Sequence, residues 1–437
     1  MPETLERLPA SELPELNGFA PVLPDSAPDI YIAEPDLSVP PVLPKPAPNV
    51  YKTERGLTAS LLRKGTARPG RGLYPRDGTA NVTDVETAIS ALTIPGQRNN
   101  VIVSSGMAAV TAATEFALKT RGKQLWPGRG PKLVHGIEHY SQSLAAFLDL
   151  QYMGVDVEGF DVGAKTVESL MAEKEPDVLC FETVANTPGM PVFDVHGLLA
   201  ITRELPEDEA PIVVFDHTVA LSTGLDFTAI LTPKDKYLIA ESATKGGMHN
   251  SDHLGVVYSK HEELMDDFRK YKATHGVVTS THADIAYLRA IQATTPGYHE
   301  RNRALYASTG KLAVAMSQAQ RELGSDPEFT VSFPTFEDHP HHAYAKKHFL
   351  HGVAPVVFMA CNGFDPAQAR QLLQRIAKHP KMKEQINEGQ IFMGQSFGFK
   401  EARLLYDRHA PYIRVAGGYD IDSDALAEAL FEAAVDA

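Results

Sequence analysis

The chain has 437 residues, 43% hydrophobic and 22% charged, an ordinary globular composition with material for about two or three domains. Its formal net charge of −14, from 41 basic and 55 acidic side chains, argues against a general binder of nucleic acid or anionic membrane. The two cysteines, Cys180 and Cys361, lie in apolar runs, so no disulfide framework is expected; there is no secretory signal and no run long enough to span a bilayer, and a cytoplasmic location fits.

Residues 1–65 form a proline-rich arm, with Pro40, Pro41, Pro44, Pro46 and Pro48 removing backbone donors and favouring extended structure. A disordered tail and an arm lying along a neighbouring subunit both fit. A basic, glycine-rich stretch at 51–82 overlaps its end, with Arg63, Lys64, Arg68, Arg71, Tyr74 and Arg76. It reads as a solvated loop or as an anion site, since arginine forks match phosphate. Thr83 and Glu86 have capping-box spacing, which predicts a helix starting at Thr83 with Val85, Ile89 and Leu92 on its apolar face.

From about 100 to 260, short apolar runs alternate with helix-length segments. The runs are 101–103, 132–134, 178–181, 212–215, 237–240 and 256–258, and they barely alternate in polarity. Such strands are covered on both faces, which predicts an α/β domain with a mainly parallel sheet. Ligands bind beyond the carboxyl ends of such strands. Each end here is polar. Gly106 and Met107 open a helix whose free amides suit an anion. Tyr140 can stack on a flat ring or pack at a helix start. Asn186 offers an amide, and Asp216 closes an apolar run, where a carboxylate needs a cation or donors. Lys245 follows Ser242 and Thr244 at the end of the run at 237–240. Burial there lowers a lysine's pKa and frees the amine that a Schiff-base lysine needs. A plain surface lysine after a strand fits the same few residues.

Taken in order, these pieces resemble the Cys/Met-metabolism group of pyridoxal-phosphate enzymes, which includes cystathionine γ-synthases, cystathionine lyases and methionine γ-lyases. That family's Ser-Gly-Met-Ala-Ala stands unaltered at 105–109, and its Ser-Ala-Thr-Lys at 242–245. Its Tyr-Gly-Gly-Thr is similar to 140–143, its Glu-Thr-Pro-x-Asn-Pro to 182–187 and its Asp-Asn-Thr-Phe to 216–219. Ser396 and Arg414 stand where the family has Ser-Leu-Gly and Arg-Leu-Ser, and Tyr74 and Arg76 where it has Tyr-Ser-Arg.

The resemblance implies fold type I: an arm at 1–65, a cofactor-binding large domain at 66–306 and a smaller C-terminal α+β domain at 307–437. It implies pyridoxal 5′-phosphate bound covalently by Lys245, with Asp216 on the ring nitrogen and Tyr140 stacked on the ring. Gly106, Met107, Ser242 and Thr244 would hold the phosphate, with Thr218 and Asn186 also at the cofactor. Tyr74 and Arg76 would come from a neighbouring subunit of a homodimer or homotetramer. Arg414, Ser396 and Asn186 would bind an amino-acid substrate. The expected reaction is γ-elimination, with γ-replacement as the alternative. A cofactor- or metal-binding protein without catalysis is the alternative of another class.

Three departures bear on the substrate: Ser141-Gln142-Ser143 replaces Gly-Gly-Thr, His217 replaces asparagine, and Gly246 and Gly247 follow the lysine. They suggest an unusual side-chain pocket, and a γ-halo-allylglycine giving an alkyne amino acid is one candidate substrate. His217 is expected to pack or to flank the ring. The histidines His339, His341, His342, His348 and His351 invite a metal. The family has a similar stretch and needs none, so no metal is expected.

Overall fold

The computed structural model describes residues 80–93, 99–122, 130–220, 224–246, 253–278, 287, 291, 297–324, 328–349, 352–394, 396–408 and 410–437. All of them fall in one compact unit, Lys64–Ala437.

Helix α1 (Ala80–Thr93) begins three residues before Thr83, so the expected capping box lies inside the helix. Glu86 instead accepts the backbone N–H of Ile102 at 3.3 Å, and Val85 and Ile89 are buried as expected. The chain then runs β1 (Asn100–Val103), α2 (Gly106–Gly122), β2 (Lys132–Gly136), α3 (Ser141–Gln151), β3 (Asp156–Phe160), α4 (Val167–Lys174), β4 (Val178–Glu182), α5 (Val195–Glu204), β5 (Ile212–Asp216) and α6 (Phe227–Ile230). β6 (Tyr237–Ser242), α7 (Ala243–Gly246), β7 (Gly255–Tyr258) and α8 (Glu262–His275) complete this part.

The seven strands form one sheet in the order β1-β7-β6-β5-β4-β2-β3. From β3 through β6 every pairing is parallel; β7 is antiparallel to both its neighbours. The apolar runs explain this layering. Side chains alternate between two cores: Val178, Cys180, Ile212 and Val214 pack in one with Ala109, Phe116 and Phe268, while Leu179, Phe181, Val213 and Phe215 pack in the other with Leu198 and Leu199. A strand apolar at every position is therefore buried on both faces, as expected of covered parallel strands. β3 was not expected from its residues. It is an edge strand, only Phe160 of it is buried, and Glu158 pairs with Lys132 and Lys174.

The long helix α9 (Tyr298–Glu322) leads to β8 (Phe329–Ser332), α10 (His342–His348), β9 (Val356–Cys361), α11 (Pro366–Lys378) and α12 (Pro380–Asn387), then β10 (Ile391–Met393), β11 (Ala402–Tyr406), β12 (Tyr412–Ala416) and α13 (Ser423–Val435). Its five strands form a second sheet, β10-β11-β12-β9-β8, antiparallel except between β10 and β11. Asp365 and Gln368 make a full capping box on α11, with Pro366 in its first turn. No described helix is long and apolar enough to cross a membrane.

Candidate active site

The site is built at the carboxyl ends of β4, β5 and β6, with one strand of the second sheet brought alongside. Glu182 and Asp216 are register partners at the ends of β4 and β5, so their side chains leave the same face. Thr218 locks β5 to β6: its backbone N–H donates to Asp216 Oδ1 at 2.9 Å, and its hydroxyl accepts the N–H of Ser242 at 3.0 Å.

Ser242 sits directly against the start of α2. A Cβ on Gly106 would lie 2.5 Å from Ser242 Cβ and 2.8 Å from its Oγ, so glycine is required for this approach. Ser105 caps the helix, its hydroxyl accepting the N–H of Ala108 at 3.1 Å. The first-turn amides of Gly106 and Met107 are donors that a helix leaves without an internal acceptor, and the Ser242 hydroxyl lies beside them.

Lys245 lies in α7, one short turn beyond β6, and is half-buried. Nζ donates to Ser396 Oγ and stands 5.5 Å from the centre of the Phe397 ring. Burial, and secondarily the Arg414 charge, bring its pKa down to about 8. The segment around Ser396 is shaped for this contact. Ser396 has φ of +76°, and Gly398, with φ of +84°, could not carry a Cβ, which would lie 2.7 Å from the Lys245 carbonyl oxygen. Arg414 enters from β12, paired with Phe358 of β9 and Leu405 of β11. Burial lowers its pKa, and the negative charges available to Tyr412, Tyr140 and Asp407 oppose that shift. Arg414, Tyr140 and Lys245 thus share one region, drawn from both sheets.

Beneath them is a buried acid group. Glu182 accepts the N–H of Tyr140 at 3.0 Å through Oε1 and that of Asn186 at 2.7 Å through Oε2. One carboxylate therefore fixes the backbone at both expected ligand residues. His139 Nδ1 stands 3.8 Å from Glu182 Oε1, and among the described residues the donor atoms of His139, Glu182 and Asp216 converge to within 4.8 Å. Burial raises Asp216 above its ordinary value, against the bonds from Thr218. Burial and then the Asp216 charge raise Glu182 well above the carboxylate range. Burial takes His139 down to about 3, with His135 adding to the shift.

Most of the residues expected from the sequence are brought together: Lys245, Asp216, Tyr140, Gly106, Met107, Ser242, Thr218, Asn186, Ser396 and Arg414. Asn186 Oδ1 is buried with no partner among the described residues. Thr244 differs from expectation. It is buried, and its hydroxyl accepts the N–H of Leu254 at 3.0 Å and donates to the Leu254 carbonyl at 3.4 Å, so it ties α7 to the turn before β7. Tyr74, Arg76 and His351 lie outside the described residues. His217 is a packing residue: fully buried, bonded to Thr183 Oγ1 at 2.8 Å and set edge-on to Phe227. Glu182 and His139 were given no role from sequence, although Glu182 ends an apolar run just as Asp216 does.

Among the described residues, the histidine-rich segment does not gather donors for a metal. His348 stacks on His196 with ring centres 3.7 Å apart, and Tyr344 bonds to His196 at 2.9 Å. His339 donates from Nε2 to the Gly189 carbonyl at 3.0 Å and accepts the His341 N–H at Nδ1. Both cysteines are free and buried.

Among solved structures, the chain is similar to a cystathionine gamma synthase from Xanthomonas oryzae pv. oryzae in complex with aminoacrylate and cysteine, at 17% identity and a TM-score of 0.64, over 84% of this chain and 90% of that one. It is also similar to the methionine gamma lyase CalE6 from Micromonospora echinospora, at 21% identity and a TM-score of 0.60, over 83% and 87% of the two chains. No curated protein matches it in sequence. These likenesses show the fold. The family of Cys/Met metabolism PLP-dependent enzymes matches residues 50–382, well over half of the chain. The chain belongs to that family, and it is a pyridoxal-phosphate-dependent enzyme of fold type I.

Proposed function

We propose that the chain catalyses γ-elimination from an L-amino acid carrying a leaving group on its side chain, giving a 2-oxo acid and ammonia. The residues fit the cofactor. An amine near pKa 8, an acid at the end of β5, unpaired first-turn amides beside the Ser242 hydroxyl and the unpartnered Asn186 Oδ1 offer the complementary groups. When bound, the cofactor supplies an electron sink for negative charge developing at the substrate Cα.

Lys245 would bind it covalently, Asp216 would hold its ring nitrogen protonated, and Tyr140 would cover its ring. The amides of Gly106 and Met107, with Ser242, would hold its phosphate. Thr218 acts through Asp216, which it positions. Tyr74 and Arg76 would complete the phosphate site from a second subunit of a dimer or tetramer. Arg414, with Ser396 and Asn186, would take the substrate carboxylate, a bidentate match for guanidinium. The freed Lys245 amine then moves the proton at Cα. A boundary between a large and a small domain near 307 would fall within α9, and the enzyme would work in the cytoplasm.

The observation that carries this is Lys245: half-buried, with its pKa lowered and placed between Ser396 and Arg414. A proton-transfer amine works best when its pKa lies near the working pH. The experiment is a visible spectrum of the purified holoenzyme with a panel of γ-substituted L-amino acids, including a γ-halo-allylglycine, with 2-oxo acid measured in parallel. One panel member should shift the spectrum and release 2-oxo acid, and Lys245→Ala should do neither. A spectrum unchanged by every member overturns the reaction. γ-Replacement is the second reading, favoured by likeness to proteins named cystathionine gamma synthase. It predicts turnover only when a thiol nucleophile is added.

A further inference from the structure

We infer that Glu182 is a positioning residue that holds a proton directed at His139, so that Asp216 alone carries the charge facing the cofactor's ring nitrogen. The inference rests on the assignment of Asp216 proposed above and goes on to the residues beneath it.

Two carboxyl groups end adjacent strands on one face, both buried, within 4.8 Å of each other. Two ionised carboxylates at that separation repel in a medium of low dielectric, and burial adds the cost of desolvation. A single ring N–H⁺ neutralises only one of them. The remaining charge needs a proton or a cation.

His139 decides where the proton goes. Its Nε2 lies 3.1 Å from the Cys180 carbonyl, which can only accept, so the ring hydrogen is on Nε2. That leaves Nδ1 as a bare lone pair. It is buried, has no partner within hydrogen-bond distance among the described residues and lies 3.8 Å from Glu182 Oε1. A second proton on the ring is disfavoured by burial, with Phe147 edge-on at 5.3 Å and His135 nearby. A lone pair facing a carboxylate is repulsive; facing an acid O–H it is a hydrogen bond. A shift of about 1 Å in either side chain brings the two to bonding distance. Its surroundings also raise Glu182 well above the carboxylate range, through burial and then the charges of Asp216 and Glu138, against the bonds from Asn186 and Tyr140. Asp216 accepts the Thr218 N–H at Oδ1.

The arrangement has a use. Glu182 grips the backbone of Tyr140 and Asn186. As a neutral acid it does so without competing with Asp216 for the ring N–H⁺.

The test uses the holoenzyme with pyridoxal phosphate. Infrared difference spectra at neutral pH should show a protonated carboxyl C=O stretch in the wild type that is absent from Glu182→Gln and shifted in His139→Leu. Glutamine matches the neutral acid in charge but its NH2 cannot accept, so it gives up one of the bonds from Tyr140 and Asn186; Glu182→Gln should raise the cofactor dissociation constant less than Asp216→Asn, which should raise it about 10- to 100-fold. No Glu182-dependent band, or a Glu182→Gln protein as weak for the cofactor as Asp216→Asn, overturns the inference while leaving the Asp216 assignment intact. An unshifted band in His139→Leu overturns the pairing with His139. A divalent metal at one equivalent in the purified holoenzyme overturns the proton as the missing charge. Asp216→Asn binding the cofactor normally overturns the Asp216 assignment itself.

Discussion

The strand ends around Asp216 and the histidine-rich group around His348 are both crowded with titratable side chains under cover, yet they are put together differently. At the strand ends, opposite and like charges are forced near one another. After burial, the Arg414 charge lowers the Lys245 pKa and the Asp216 charge raises that of Glu182. In the histidine group the rings stack and bond locally, and burial, which leads at the strand ends too, chiefly lowers His196, His339, His341 and His348, with neighbouring histidines and Lys347 adding to it. Perturbed groups that face one another across a cleft mark chemistry; perturbed groups that face backbone carbonyls and other rings mark packing.

Lys245 should break the comparison hardest. Lys245→Ala removes the amine on which covalent capture and proton transfer depend, and 2-oxo acid formation should fall on the order of 1,000-fold or more. Arg414→Lys comes next. It keeps the charge but loses the fork, so kcat/KM should drop about 10- to 100-fold, mainly through KM, as expected for a charged hydrogen bond worth ~1.5–3 kcal/mol. Steady-state kinetics that leave KM unchanged would remove Arg414 from the substrate site. The sharper measurement is pH. A lysine with lowered pKa is neutral above that value, so the rate at which cofactor-free enzyme captures pyridoxal phosphate should rise through about pH 8. A free lysine would place that rise at about 10.4. Arg414→Gln removes the second cause of the shift and should move the rise upward.

The sheet was legible because burial on both faces leaves continuous apolar runs, as in Val178–Glu182 and Ile212–Asp216. β3, an edge strand with only Phe160 buried, carries no such run, which hid it. In the second sheet β9 and the three-residue β10 are apolar throughout; β11 and β12 alternate around Arg403 and Arg414. Lys245, Asp216 and Arg414 were readable from motif order. The partner of each was not, because contacts such as Lys245 with Ser396, 151 residues apart, depend on the packing of two sheets. The tie between Thr244 and Leu254 was not readable either, because the sequence does not show that Leu254 returns to its hydroxyl. His139 looked like a residue beside a tyrosine. Its lone pair matters only once the Cys180 carbonyl has fixed the tautomer.

The smallest effects belong to the histidine group. Rings held neutral by burial bind protons more weakly in the folded chain than in the unfolded one. By linkage, their part in stability is in place above the unfolded value of about 6.5 and is lost as pH falls below it. His348→Phe keeps a ring against His196 and removes one titrating group, so urea midpoints should fall less steeply between pH 7 and pH 5 than in the wild type, with kcat/KM for the best substrate unchanged. Chelator treatment should leave both stability and turnover untouched, because these rings are engaged by Tyr344, Gly189 and each other. A urea midpoint that drops on chelation would instead make this group a metal site and reverse the contrast with the strand ends.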